Sequence, residues 1–170
     1  LIYNNPDRIR VNISPTLLER LADLPNIVGI KDSSANMNLT AEYLRRTRGS
    51  GFRVMAGCDT LILATLAYGG VGCVAATANV APELVVRIYE RFQAGDLAGA
   101  LRAQFELAPL RLAFSLGSWP VVTKDALNLI GIKAGQPIRP NVGCSEDNLK
   151  SLEQILITLG LFPPTPRVDN

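Results

Sequence analysis

Histidine is missing from this chain altogether. Its absence removes Ser-His-Asp and Cys-His pairs from the chain's own repertoire. Acid–base work falls to lysine, tyrosine and the carboxylates. Cysteine is scarce: Cys58, Cys73 and Cys144 stand far apart with no C-x-x-C pair. That argues against a zinc site and a disulfide framework, so no metal is expected and a reducing, cytoplasmic setting is. Each cysteine reads as a small buried hydrophobe. Charge of one sign is lacking too: the net charge is +2. No basic run is interleaved with aromatics, so nucleic acid is not an expected partner. No apolar run approaches the ~18–20 residues that span a bilayer, and no membrane is expected. The opening Leu1-Ile2-Tyr3-Asn4-Asn5-Pro6 has no methionine, charged leader or small-residue cleavage site. It reads as the last residues of a strand, cut within a domain.

What is present suffices for one sizeable core: 170 residues, 48% hydrophobic and 19% charged. The most informative run is Ile27-Val28-Gly29-Ile30-Lys31-Asp32-Ser33-Ser34. Its unalternating apolar start predicts a strand covered on both faces, as in a parallel sheet. Lysine is costly to bury, because its ammonium loses hydration and its stem loses rotamer freedom. At the carboxyl end of a parallel strand, Lys31 stands where α/β folds gather their active sites. Desolvation there favours the neutral amine that imine formation with a ketone requires. Lys31 equally reads as a side chain snorkelling to a barrel rim.

Around that strand the chain keeps a βα rhythm. Ser14-Pro15 opens a helix whose Leu17, Leu18, Leu21 and Leu24 form an apolar face that Pro25 ends. A polar helix from about Asn38 to Arg48 turns Tyr43 and Leu44 inward and Arg45, Arg46 and Arg48 to solvent. Phe52 to Gly57 and Val71 to Thr77 read as strands, flanking an apolar helix capped by Asp59 or Thr60 and ended by Gly69-Gly70. After Pro82 only helices are expected: one carrying Leu84, Val85, Ile88 and Phe92; an amphipathic stretch from Leu97 to about Phe114; one opened by Pro120; and a last one. Ser145 caps that last helix, and Gly160 with Pro163, Pro164 and Pro166 ends it. Residues 1–94 thus hold four strands with crossover helices, and 95–170 a helical extension packed on them. A full eight-strand barrel takes about 250 residues, so this length accommodates the second half of a TIM (β/α)8 barrel, with two open sheet edges.

Tyr3-Asn4-Asn5-Pro6-Asp7-Arg8, Gly29-Ile30-Lys31-Asp32 and Gly72-Cys73-Val74-Ala75-Ala76-Thr77-Ala78-Asn79, in this order, resemble the dihydrodipicolinate synthase and N-acetylneuraminate lyase superfamily. Its members are Schiff-base aldolases and lyases on a barrel with three extra carboxyl-terminal helices. The resemblance runs from the end of the fifth barrel strand to the carboxyl terminus. It implies that Lys31 forms an imine with pyruvate or another 2-oxo acid, and that Tyr3 relays protons. It also implies that the backbone at Val74 lies beside the 2-oxo acid, and that Arg8 binds the carboxylate of an aldehyde substrate. An arginine at that place points to the synthase branch: pyruvate and aspartate-semialdehyde condense to 4-hydroxy-tetrahydrodipicolinate in lysine biosynthesis. The family pattern continues Arg-Thr-Gly where this chain reads Arg8-Ile9-Arg10, which makes Arg10 a rival carboxylate ligand. No cofactor is implied, since no glycine-rich phosphate cup accompanies Lys31. The pyruvate-carboxylate loop and a tyrosine donated across the dimer belong to a first half-barrel not present here. The chain is therefore expected to be inactive alone and to act as a homo-oligomer or paired with that half. Two other readings remain open. One is an aldolase of 2-keto-3-deoxy sugar acids or 4-hydroxy-2-oxoglutarate; the other is a non-catalytic, truncated half-barrel.

Overall fold

Short apolar rows make the sheet, and each row has a helix to cover it. The structure, a computed structural model, describes residues 1–162. Four strands, β1 (Ile2–Asn4), β2 (Gly29–Asp32), β3 (Arg53–Ala56) and β4 (Gly72–Cys73), pair in parallel in chain order. In register, Ile2, Ile30 and Val54 form one row. Ile30 and Val54 are buried with Leu18 of helix α2 (Pro15–Ala22) and Tyr43 of helix α3 (Met37–Arg46). Each large apolar side chain buried this way contributes about 1.5–3 kcal/mol. The next row, Tyr3, Lys31, Met55 and Gly72, points to the opposite face because side chains alternate along a strand.

The strands are shorter than the apolar runs suggest. Ile27 is tied back by its N–H to the Leu24 carbonyl, and Val28 is 53% exposed, so β2 begins only at Gly29. Past Cys73, Val74 still donates to the Ala56 carbonyl, but Thr77–Asn79 wind into a 3-10 turn. The expected strand to Thr77 therefore stops at Cys73.

Helix starts follow the capping chemistry. Ser14 and Ser145 accept from the N–H groups of Leu17 and Asn148, as expected, and Asn36 accepts from Leu39 to start α3. Other details differ. A short helix α1 (Pro6–Ile9) occupies what read as loop. Helix α2 ends at Asp23 before Pro25 can act, and Leu17 and Leu24 are left exposed. Arg46 is not simply solvated: it pairs with Glu19 of α2 at 2.8 Å. Neither Asp59 nor Thr60 caps the helix that follows by a side-chain hydrogen bond; Asp59–Leu61 form a 3-10 turn leading into α4 (Ile62–Ala67).

Helices α5 (Pro82–Gln93), α6 (Leu97–Ala113), α7 (Val121–Leu129) and α8 (Glu146–Thr158) complete the described chain. One core joins Ile62, Leu66, Leu84 and Ile88 to Ala103, Leu107, Val122, Leu152 and Leu156, so it runs unbroken across residues 94 and 95. Gln104 of α6 bolts the two parts together. Its amide accepts from Leu63 N–H at 3.0 Å and donates to the Asp59 carbonyl at 2.9 Å. Helix α6 is only weakly amphipathic: Leu97, Leu101, Phe105 and Leu112 stand exposed on its outer face beside Arg102 and Glu106. Among the described residues no helix is long and apolar enough to cross a membrane. Pro163, Pro164 and Pro166, expected to end α8, lie outside the described residues.

Candidate active site

The register of β1 on β2 sets Tyr3 beside Lys31 at the carboxyl ends of the sheet. Lys31 is half-buried, and its Nζ lies 4.6 Å from the centroid of the Tyr3 ring. An ammonium so placed over a ring gains about 0.5–1 kcal/mol at an exposed site. The Tyr3 hydroxyl accepts from the Asn5 amide at 2.7 Å. Burial alone pushes this phenol up, but hydrogen bonds from Asn5 and Ser33 and the charges of Lys31 and Arg8 outweigh it. The phenol consequently ionises below its ordinary value of 10.0.

One residue further along each strand the chemistry inverts. Asn4 and Asp32, paired in register, point to the helical face and are buried. The Asp32 carboxylate accepts from Asn4 at 2.9 Å, from the Ser34 N–H and hydroxyl at 3.1 and 2.9 Å, and from the Thr40 hydroxyl at 2.6 Å. Asn4 also donates to Asn12 and the Tyr43 hydroxyl and accepts from Ile13 N–H. The Tyr43 hydroxyl donates in turn to the Ile13 carbonyl. With so many donors satisfied, Asp32 anchors β2 to α3.

Tyr3, Lys31, Arg8, Val74, Asp59 and Arg111 all line one cavity of about 940 Å³ at this end of the sheet. Arg8 reaches it from α1, and Val74 from the end of β4. Arg10 does not line it. Arg10 instead ends α1 in the left-handed region (φ 59°, ψ 14°), with its N–H on the Pro6 carbonyl. That is the conformation a glycine adopts without cost, so the backbone keeps its turn where the motif loses its glycine. Gly57 closes the other side of the mouth: a Cβ there would meet the Ser33 hydroxyl and the Asp32 carbonyl.

Sequence reasoning missed Asp59 and Arg111 as a pair. Asp59 is 2% exposed; it accepts from Ala76 N–H at 2.8 Å and faces the Arg111 Nε at 3.4 Å. Burial raises its pKa above 3.8, against the lowering pull of Arg111 and the backbone N–H groups. Holding Ala76 by its N–H, Asp59 fixes the segment that carries Val74. Gln104, a polar residue on the buried face of an apolar helix, was the one signal in sequence that α6 returns to this place. Cys58 also lines the cavity. Cys73 and Cys144 are held at about 11 by burial first and by Asp59 and Asp125 respectively, so both thiols stay protonated at neutral pH. Among the described residues no cluster of histidine, cysteine and carboxylate is arranged to hold a metal ion.

The model of the "Dihydrodipicolinate synthetase family" matches residues 1–159. The 4-hydroxy-tetrahydrodipicolinate synthase of Methanoculleus marisnigri is 38% identical over 160 residues, which cover 94% of this chain and 55% of that protein. The crystal structure of dihydrodipicolinate synthase from Thermotoga maritima superposes with a TM-score of 0.90 at 31% identity, over 94% of this chain and 55% of that one. An E. coli K12 prophage protein of the dihydrodipicolinic acid synthase family, solved in complex with pyruvate, gives a TM-score of 0.87 at 28% identity over 94% of this chain and 55% of its own. The chain thus spans about half the length of the curated relatives it matches.

Proposed function

This chain belongs to the dihydrodipicolinate synthetase family, and from that premise we propose that it carries the Schiff-base half of a cytoplasmic aldolase acting on pyruvate. The observation that supports this most is the Lys31 amine 4.6 Å from the Tyr3 ring within one cavity. In the proposed reaction the Lys31 Nζ attacks the ketone carbon of pyruvate. The oxygen leaves as water, and an iminium links lysine to the 2-oxo acid. Loss of a proton from the methyl carbon gives an enamine, whose carbon attacks the aldehyde. Tyr3 takes and returns the protons through its phenol, whose lowered pKa brings transfer closer to neutral pH.

Arg8 is exposed, lines the cavity and has no ion-pair partner among the described residues. A guanidinium of that kind suits a substrate carboxylate held by two parallel hydrogen bonds. This favours aspartate-semialdehyde as the second substrate and 4-hydroxy-tetrahydrodipicolinate as the product. The relatives carrying that enzyme name support the same substrates. Val74 contributes its backbone beside the 2-oxo acid.

Among the described residues β1 and β4 each pair on one side only. Open edges of this kind favour pairing with a complementary half-barrel, and the chain by itself does not turn over substrate. Condensation assays test both points. The chain alone is expected to be silent, the chain mixed with the amino-terminal half of a relative's barrel active, and the Lys31→Ala mixture silent again. Turnover by the chain alone contradicts the dependence on a second half, and turnover by the Lys31→Ala mixture contradicts the role of the lysine.

A further inference from the structure

One wall of the cavity comes from the helical extension, and none of its side chains takes part in the proposed condensation. Arg111 stands on the last turn of α6, Phe114 opens the 3-10 turn that follows, and Trp119 lies in the loop before α7; all three line the cavity. The Phe114 and Trp119 rings meet edge to face, with centroids 5.7 Å apart and planes at 61°. Trp119 is nevertheless 50% exposed. Its loop is tied down on both sides: Asn148 donates to the Leu116 carbonyl at 2.7 Å, and the Ser118 hydroxyl to Asn141 at 3.2 Å. The Arg111 guanidinium lies over Phe114, 5.8 Å from its centroid, and its Nε faces the buried Asp59 carboxylate at 3.4 Å. That ion pair uses one edge of the fork, and among the described residues no hydrogen bond takes the terminal nitrogens. A cavity of about 940 Å³ is of the size that receives a drug-sized ligand, well above what two small substrates fill.

We propose that Arg111, Phe114 and Trp119 form a ligand subsite for an aromatic monocarboxylate, on elements other than the one that carries Arg8. A guanidinium with both terminal nitrogens free holds a carboxylate by two parallel hydrogen bonds. Asp59 and Phe114 already orient the fork, so little rotamer freedom is lost on binding. A ring attached to that carboxylate extends the edge-to-face series that Phe114 and Trp119 begin, and ring pairs of this kind add to simple burial. Charge selects a monoanion. Lys31, Arg8 and Arg111 line the cavity with the carboxylates Asp7 and Asp59 only, so it favours an anion. Asp59 offsets part of the Arg111 charge, which suits a carboxylate better than a phosphate dianion.

Trp119 is the chain's single tryptophan, so its fluorescence reports on this wall directly. In the full chain it should change saturably with sodium benzoate, with half-saturation at about 1 mM. Cyclohexanecarboxylate has the same charge and no π face, and should bind about fivefold more weakly. Inorganic phosphate at about 10 mM should not displace benzoate. Arg111→Met should weaken benzoate about tenfold or more, and Phe114→Leu about threefold. Lys31→Ala should leave benzoate affinity unchanged, which separates the subsite from the imine chemistry. The proposal is overturned by the absence of a saturable change, by cyclohexanecarboxylate or phosphate binding as tightly as benzoate, or by full affinity in folded Arg111→Met. Affinity lost in Lys31→Ala also overturns it, since the anion then sits on the lysine. So does benzoate binding abolished by the amino-terminal half of a relative's barrel, which assigns this wall to that half. Should Arg111→Met fail to fold, Phe114→Leu and the ligand series on the wild type decide.

Discussion

Two faces of the same strand ends can be compared directly, because Tyr3–Lys31 and Asn4–Asp32 are adjacent pairs in one register. The inner pair faces a wide cavity and is held lightly, by hydrogen bonds from Asn5 and Ser33 to the phenol and by a ring contact. The outer pair is buried and hydrogen-bonded by Ser34, Thr40, Asn12 and Tyr43. A single step along a strand separates groups left free to react from groups committed to holding the strand in place. The polar residues of a strand end therefore divide by parity, and rigid outer anchors let the inner pair stay open.

Removing the outer anchor should have the largest effect. Asp32→Ala strands several buried donors, and we expect a loss of about 3–5 kcal/mol in urea unfolding, or no folded protein. A loss below about 1 kcal/mol would erase the distinction between the two faces. Asn4→Ala is expected to cost about 2 kcal/mol by the same reasoning, with the trapping of pyruvate retained wherever the variant folds.

Asp59 sharpens the contrast with Asp32, since its burial is less fully compensated. Its folded pKa is raised above 3.8, chiefly by burial. The folded state thus holds this proton more tightly than the unfolded one. The stability it contributes is complete below the unfolded value and is lost as pH rises through the folded one. As pH rises above the ordinary aspartate value, Asp59→Asn should flatten part of the decline in urea midpoint seen for the wild type. A wild-type slope retained in full by the variant would assign the titration to another group.

Arg10→Gly is expected to stabilise the chain by about 1 kcal/mol, because it relieves a left-handed residue at the end of α1. An unchanged or lower melting temperature would show that the Arg10 side chain has contacts that outweigh the strain. The smallest effects on stability belong to the inner pair. Lys31→Ala and Tyr3→Phe should each stay within about 0.5 kcal/mol of wild type while abolishing or slowing reaction with pyruvate.

The sequence made part of this legible. Lys31 could be found from its place at the end of an unalternating strand, and the Tyr3 and Arg8 positions from motif resemblance. Chain order alone suggested a parallel sheet followed by helices. Asp59 was readable only as a helix cap, because its partners Ala76 and Arg111 come from elements far along the chain. The length of β4 was overread, since a run such as Val71 to Thr77 looks alike as strand or as strand plus 3-10 turn. Helix α1 was missed because four residues leave too little periodicity, and the left-handed Arg10 that ends it carries no glycine to announce it.

The most direct measurement is peptide mapping after the chain has been incubated with pyruvate and reduced with borohydride. The chain has four lysines, Lys31, Lys124, Lys133 and Lys150. The account predicts a reduced pyruvate adduct on Lys31, none on the other three, and none anywhere in Lys31→Ala. An adduct spread over all four, or a Lys31 peptide left unmodified at saturating pyruvate, would contradict it.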